Sequence, residues 1–191
     1  ANASTNFATT QGIRRVKLNL SVGNRYVTGF AINPSNENHV IVTLGNYGNT
    51  DYVYQTLNGN DPPAGQTTPN ANFTSIQNDL PLMPVYDAVF DFYNGNNIIL
   101  GTELGVWSTA NALDGATQIT WSPENSQDLG AVPTFQVRVD PLYEKECRVL
   151  YAGTFGRGIF RSTSLTPGNC DVTPCKEIVG VKEVTATAKP T

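Results

Sequence analysis

Short apolar runs, each cut off by glycine, proline, asparagine or aspartate, recur along the chain in a fixed order. Residues 26–34 (YVTGFAINP), 85–92 (VYDAVFDF) and 134–141 (TFQVRVDP) form the first kind, and aligning Asn33, Asp91 and Asp140 gives spacings of 58 and 49 residues. A second run follows each: 40–44 (VIVTL), 98–102 (IILGT) and 149–154 (VLYAGT), with Gly101-Thr102 and Gly153-Thr154 in register. A third comes next, at 52–56 (YVYQT), 105–109 (GVWST) and 158–162 (GIFRS), so that Val53, Val106 and Ile159 coincide, as do Tyr54, Trp107 and Phe160. The fourth run is less regular: 72–77 (NFTSIQ) closes the first unit, 118–122 (QITWS) the second, and the third has none.

Runs of this length bounded by turn residues read as strands rather than helices. Four strands in a repeat of roughly 50 residues predict an all-β fold, a β-propeller of four-stranded antiparallel blades. A sandwich or jelly roll is the competing architecture, and the composition of the runs argues against it. Segments such as NNIILGT and RVLYAGT are apolar almost throughout, as a sheet covered on both faces requires, whereas a sheet with one wet face alternates. The expected organisation is a linker at 1–12, an orphan outer strand of a preceding blade at 13–22 and complete blades at 26–80 and 84–130. An incomplete last blade at 133–165 and a tail at 166–191 follow.

Charge removes several function classes. Twelve Lys and Arg face sixteen Asp and Glu, a net charge of -4, and the basic residues are scattered apart from Arg14 and Arg15, so no nucleic-acid partner is expected. No apolar stretch reaches the ~18 residues of a membrane-spanning helix. Of the three cysteines, Cys170 and Cys175 lie close together in a turn-rich tail, which favours their pairing with Cys147 reduced; Cys147 with Cys170 is the alternative. The single histidine, His39, sits far from them at a turn before a strand, so neither a metal nor another cofactor is expected.

The phrases at 99–121 (ILGTELGVWSTANALDGATQITW) and 150–164 (LYAGTFGRGIFRSTS) resemble the Asp-box or BNR-type propellers, a group that includes sialidases, xyloglucan-active glycoside hydrolases and sortilin-like receptors. The Asp box itself, Ser-x-Asp-x-Gly-x-x-Trp, is stretched here. Ser108, Asp114, Gly115 and Trp121 keep its residue types in order at wider spacing, as do Thr56, Asn58, Gly59 and Phe73 with a longer insertion. In that family the box shapes an outer turn of the blade and does not imply catalysis. The tail at 178–191 (IVGVKEVTATAKPT) is similar to the linker ahead of the C-terminal sorting domain on cargo of the type IX secretion system of Bacteroidetes-like bacteria. That likeness implies a secreted or surface-held protein.

A glycosidase needs two carboxyl groups flanking the scissile bond, or in sialidases an activated tyrosine with an arginine cluster. Inner-strand slots facing the propeller axis hold Gly29, Asp87 and Gln136, so Asp87 is the one catalytic candidate; Asp91 and Asp140 read as turn formers. Tyr86, Arg138 and Arg157 are the candidates for ligand contact. Tyr47, Tyr93 and Tyr143, at loops or strand ends, suit rim packing or a sugar-stacking surface. Three functions stay open. One is a noncatalytic surface module for adhesion, scaffolding, or glycan or protein binding. The second is the end of a secreted glycoside hydrolase with its catalytic residues upstream. The third is a half-propeller that assembles with another copy, since rings close with about four or more blades. The partners expected are accordingly the remaining blades of a longer chain or a second copy.

Overall fold

A computed structural model describes residues 26–59, 73–125, 128–140 and 148–163. The run at 13–22, Tyr143, the three cysteines with the Cys170–Cys175 pairing, and the tail lie outside the described residues. The described residues contain strands and turns and no helix.

Three antiparallel sheets follow one another along the chain, each in meander order. Blade 1 is β1 (Val27–Asn33), β2 (Asn36–Leu44), β3 (Val53–Thr56) and β4 (Thr74–Ser75). Blade 2 is β5 (Val85–Phe90), β6 (Ile98–Thr102), β7 (Gly105–Thr109) and β8 (Ser122–Pro123). Blade 3 is β9 (Thr134–Asp140), β10 (Val149–Thr154) and β11 (Gly158–Ser162). These are successive propeller blades, with β1, β5 and β9 as equivalent inner strands.

Strand pairing fixes which residues share a face, because side chains alternate along each strand. On one face run the cross-strand rows Ala31–Ile41–Gln55, Val89–Ile99–Ser108 and Arg138–Tyr151–Arg161 of blades 1, 2 and 3. On the other run Phe30–Val42–Tyr54, Ala88–Leu100–Trp107 and Val137–Ala152–Phe160. The forward face of one blade meets the rear face of the next. Ala31, Ile41 and Val53 pack with Ala88, Phe90, Ile98 and Leu100 in the core between blades 1 and 2. Val89, Ile99 and Val106 pack with Val137, Leu150 and Ala152 between blades 2 and 3. The unbroken apolar run of β6 is buried at every residue because blade 2 is covered on both sides, whereas the similar run of β10 leaves Tyr151 exposed.

The fourth strands depart from expectation, since only two residues pair in each of β4 and β8. The apolar residues read there as strand are anchors instead. Ile76, Ile119 and Trp121 join the core between blades 1 and 2, and the Trp121 indole N–H donates to the Ile76 carbonyl at 2.8 Å. The outer turn of blade 2 is likewise organised from Asn111 and not from Asp114. The Asn111 side chain donates to the Gln118 carbonyl and accepts from the Thr120 amide and the Thr109 hydroxyl.

Asn33 and Asp91 behave as turn formers, accepting from the Ser35 and Tyr93 amides two residues on. They also reach the next blade. Asn33 donates to the Gly95 carbonyl of blade 2, and fully buried Asp91 binds the Arg148 guanidinium that leads into β10. His39, expected at a turn, instead lies inside β2 with no exposed surface, between Asn33 and Gln55 and edge-on to Phe90 of blade 2.

Candidate functional site

Along the free edges of the inner strands runs an open cleft of about 590 Å³, floored by Gly29, Ala31, Ala88 and Val89 and bordered by Asp87 and Arg138. Asp87 does not stand free in it. Its Oδ2 accepts the Val137 amide at 3.1 Å and the Arg138 guanidinium at 2.5 Å, which ties blade 2 to blade 3. Gly29 holds the equivalent slot in blade 1, where a Cβ would come within 3.0 Å of the Asp87 backbone. The first interface closes on backbone where the second closes on an ion pair.

A second feature lies at the start of the inner strands. Each carries a bulge at the same place, so Thr28, Tyr86 and Phe135 fall out of register with their partners. A bulge re-aims the unpaired side chain and marks a rim. Thr28 turns its hydroxyl to the Val85 carbonyl, joining blade 1 to blade 2. Tyr86 and Phe135 meet edge to face at 4.7 Å between centroids, and Phe135 meets Phe155 of the β10–β11 turn at 5.7 Å. The row is solvent-facing, with Phe155 68% exposed and Phe135 43%.

Glu103, in the β6–β7 turn, holds this rim. Its carboxylate accepts the Tyr86 hydroxyl and also pairs with Tyr47, a mostly exposed tyrosine of the β2–β3 loop. Burial and the hydrogen bond to Glu103 push the Tyr86 phenol upward; the same carboxylate raises Tyr47.

The structure separates the expected contact residues. Tyr86 belongs to the aromatic rim and Arg138 to the Asp87 pair, while Arg157 turns outward to the Leu129 carbonyl at 3.1 Å, 5.8 Å from the Phe160 ring centre. No arginine cluster forms from them. Glu103, Phe135 and Phe155 were not singled out by sequence reasoning. Their signal is present in retrospect: Glu103 and Phe155 follow the aligned Gly-Thr pairs directly, at the turns that line one rim of successive blades.

Among solved structures, the chain is similar to the GH74 xyloglucanase from Xanthomonas campestris, at 14% identity and a TM-score of 0.38, covering 72% of this chain and 29% of that one. No family model matches the sequence, and no curated protein matches it.

Proposed function

We propose that this chain is a noncatalytic binding segment of an exported β-propeller and that it contacts glycans through the rim formed by Tyr47, Tyr86, Phe135 and Phe155. One observation carries the reading: the carboxylate of the inner cleft, Asp87, is engaged by a backbone amide and a guanidinium of the neighbouring blade. Glycosidases hold two carboxyl groups roughly 5 to 10 Å apart across the substrate, and Asp87 has a structural task in place of that one. The rim has what a sugar-binding surface uses: exposed aromatic rings beside hydroxyl and carboxylate groups. The sorting-linker likeness of the tail supports export, and the Asp-box likeness of 99–121 and 150–164 supports membership of a propeller group rich in glycan-active proteins.

Binding of the purified chain to soluble xyloglucan, followed by titration calorimetry alongside a reducing-end assay, tests this. Binding without release of sugar is expected, and Phe155→Ala should weaken it about three- to tenfold, the value of roughly one aromatic contact. Turnover of xyloglucan or of a sialoside, abolished by Asp87→Asn or Tyr86→Phe, would refute the reading. So would binding indifferent to Phe155.

A further inference from the structure

One position on the rim is common to the three blades and is filled in three ways. Gly45, Glu103 and Phe155 each donate the backbone amide to the carbonyl just ahead of the inner strand, that of Tyr26, Pro84 and Pro133, at 3.0, 3.0 and 2.8 Å. The backbone alone makes that bond, so the side chain at this position is not needed for it. In blade 2 it is a carboxylate. Glu103 accepts the Tyr86 hydroxyl of its own blade and pairs with Tyr47 of blade 1, while Phe135 of blade 3 meets the Tyr86 ring with the two planes 74° apart. Blade 2 has a described neighbour on each side, so this part of the rim is bounded by described residues.

The charge of the cluster belongs to Glu103. Hydrogen bonding to that carboxylate raises the Tyr47 pKa, and burial together with the same carboxylate raises that of Tyr86, so both rings remain neutral donors at neutral pH. Neither ion pair among the described residues includes Glu103. A carboxylate offers about four acceptor positions, of which the two phenols take two.

We infer, resting on the glycan-binding reading above, that Glu103 sets the charge preference of the rim: glycans with free amino groups over neutral ones, and neutral ones over acidic ones. An ammonium group suits the place twice, as a donor to the remaining carboxylate lone pairs and as a cation beside the rings of Tyr47 and Tyr86. The phenol-to-carboxylate hydrogen bonds polarise those rings toward greater electron density, which favours the second attraction. A sugar carboxylate meets Glu103 as a like charge, with no guanidinium of the described residues paired there to offset it.

Three β-1,4-linked oligomers of equal length, of glucose, of glucosamine and of glucuronic acid, test the order when titrated into the whole chain by calorimetry. The glucosamine oligomer should bind about three- to tenfold more tightly than the glucose oligomer, the combined effect of one exposed cation–π contact and one exposed ion pair. The glucuronic acid oligomer should bind more weakly than either, and the advantage of the amine should shrink as salt rises. Glu103→Gln should bring the three affinities together; the readout is a ratio on one protein, so a general weakening of the rim cancels. Asp114→Asn removes an equal charge from an exposed turn and should leave the ratio as it is. A preference that survives Glu103→Gln, or that falls equally with Asp114→Asn, would assign it to the net charge of -4 and overturn the inference. A lysine-bearing peptide that binds more tightly than the glucosamine oligomer, and loses that binding with Glu103→Gln, would overturn it by making the ligand a protein segment. Equal affinities for the oligomers, or none, while xyloglucan binds through Phe155 would sink the charge preference and leave the glycan reading standing. Absence of binding by the oligomers and by xyloglucan would overturn both.

Discussion

Asp91 is the residue whose removal should damage this fold most. Its side chain is fully buried, it accepts the Tyr93 amide and the Asn97 side chain at 3.1 Å each, and it binds Arg148 of blade 3, whose own side chain is 15% exposed. Asp91→Ala would strand that guanidinium beneath the β5–β6 loop. Breaking a buried pair by deleting one partner costs about 3–5 kcal/mol, because the remaining charge loses its compensation without regaining water. With a urea slope of about 2 kcal/mol per molar, the unfolding midpoint should fall by roughly 2 M. Asp91→Asn keeps an acceptor for the Tyr93 amide but sets an NH2 group where Oδ2 accepts Asn97 and Arg148, so a loss close to that of Asp91→Ala, about 3–5 kcal/mol, is expected. The decisive comparison is a cycle with Arg148→Met. If the two groups form one joint, Asp91→Asn with Arg148→Met should cost at least about 1 kcal/mol less than the sum of the singles. Additive losses, or an Asp91→Ala cost below about 1 kcal/mol, would refute the assignment of this pair as the joint between blades 2 and 3.

Two further predictions test the interfaces by other means. Burial lowers the His39 pKa below its ordinary 6.5, so the unfolded chain binds a proton that the folded chain refuses; stability should hold at neutral pH and fall as pH drops through 6.5. His39→Gln should flatten that limb in thermal melts taken across the same pH range, and an unchanged slope would contradict the assignment. The second concerns the glycine shared by β6 and β10. A Cβ on Gly101 would lie 2.6 Å from the Thr134 carbonyl oxygen of blade 3, whereas on Gly153 it meets nothing closer than 3.7 Å. Gly101→Ala should therefore destabilise by about 1–3 kcal/mol in urea unfolding, and Gly153→Ala should leave the monomer within about 0.5 kcal/mol of wild type.

The strands were legible because a propeller repeats its hydrogen-bonding plan at near-constant intervals. The runs at 98–102, 105–109, 149–154 and 158–162 coincide with β6, β7, β10 and β11, since each lies between turns that glycine, asparagine or aspartate punctuates. Outer strands were less legible for a physical reason: a strand with one neighbour needs few ladder bonds, and its apolar residues serve the core between blades. Ile119 and Trp121 therefore read as strand but sit before it, and Asn111 took the turn-forming role that spacing had given to Asp114. His39 misled in the same way, because the Asn-Glu-Asn stretch before it looks like a loop and forms the start of β2.

Local sequence shows which positions face forward or rearward, but it does not show what a polar residue meets across the joint. Gly29, Asp87 and Gln136 occupy one slot and do three different things: close approach to the next backbone, an ionic staple, and an exposed amide. Asn33 and Asp91 also share a slot, and their chemistry follows their neighbours. Asn33 must donate to the Gly95 carbonyl and to His39 Nδ1, which a carboxylate cannot do, whereas Asp91 receives three donors, one of them a guanidinium. An amide at the first joint and an acid at the second thus each match the partners met on the same blade and across the joint. Asp87 belongs to the same logic. Its place near the axis made it the catalytic candidate in the sequence, and its bonds to the Val137 amide and the Arg138 guanidinium join blade 2 to blade 3.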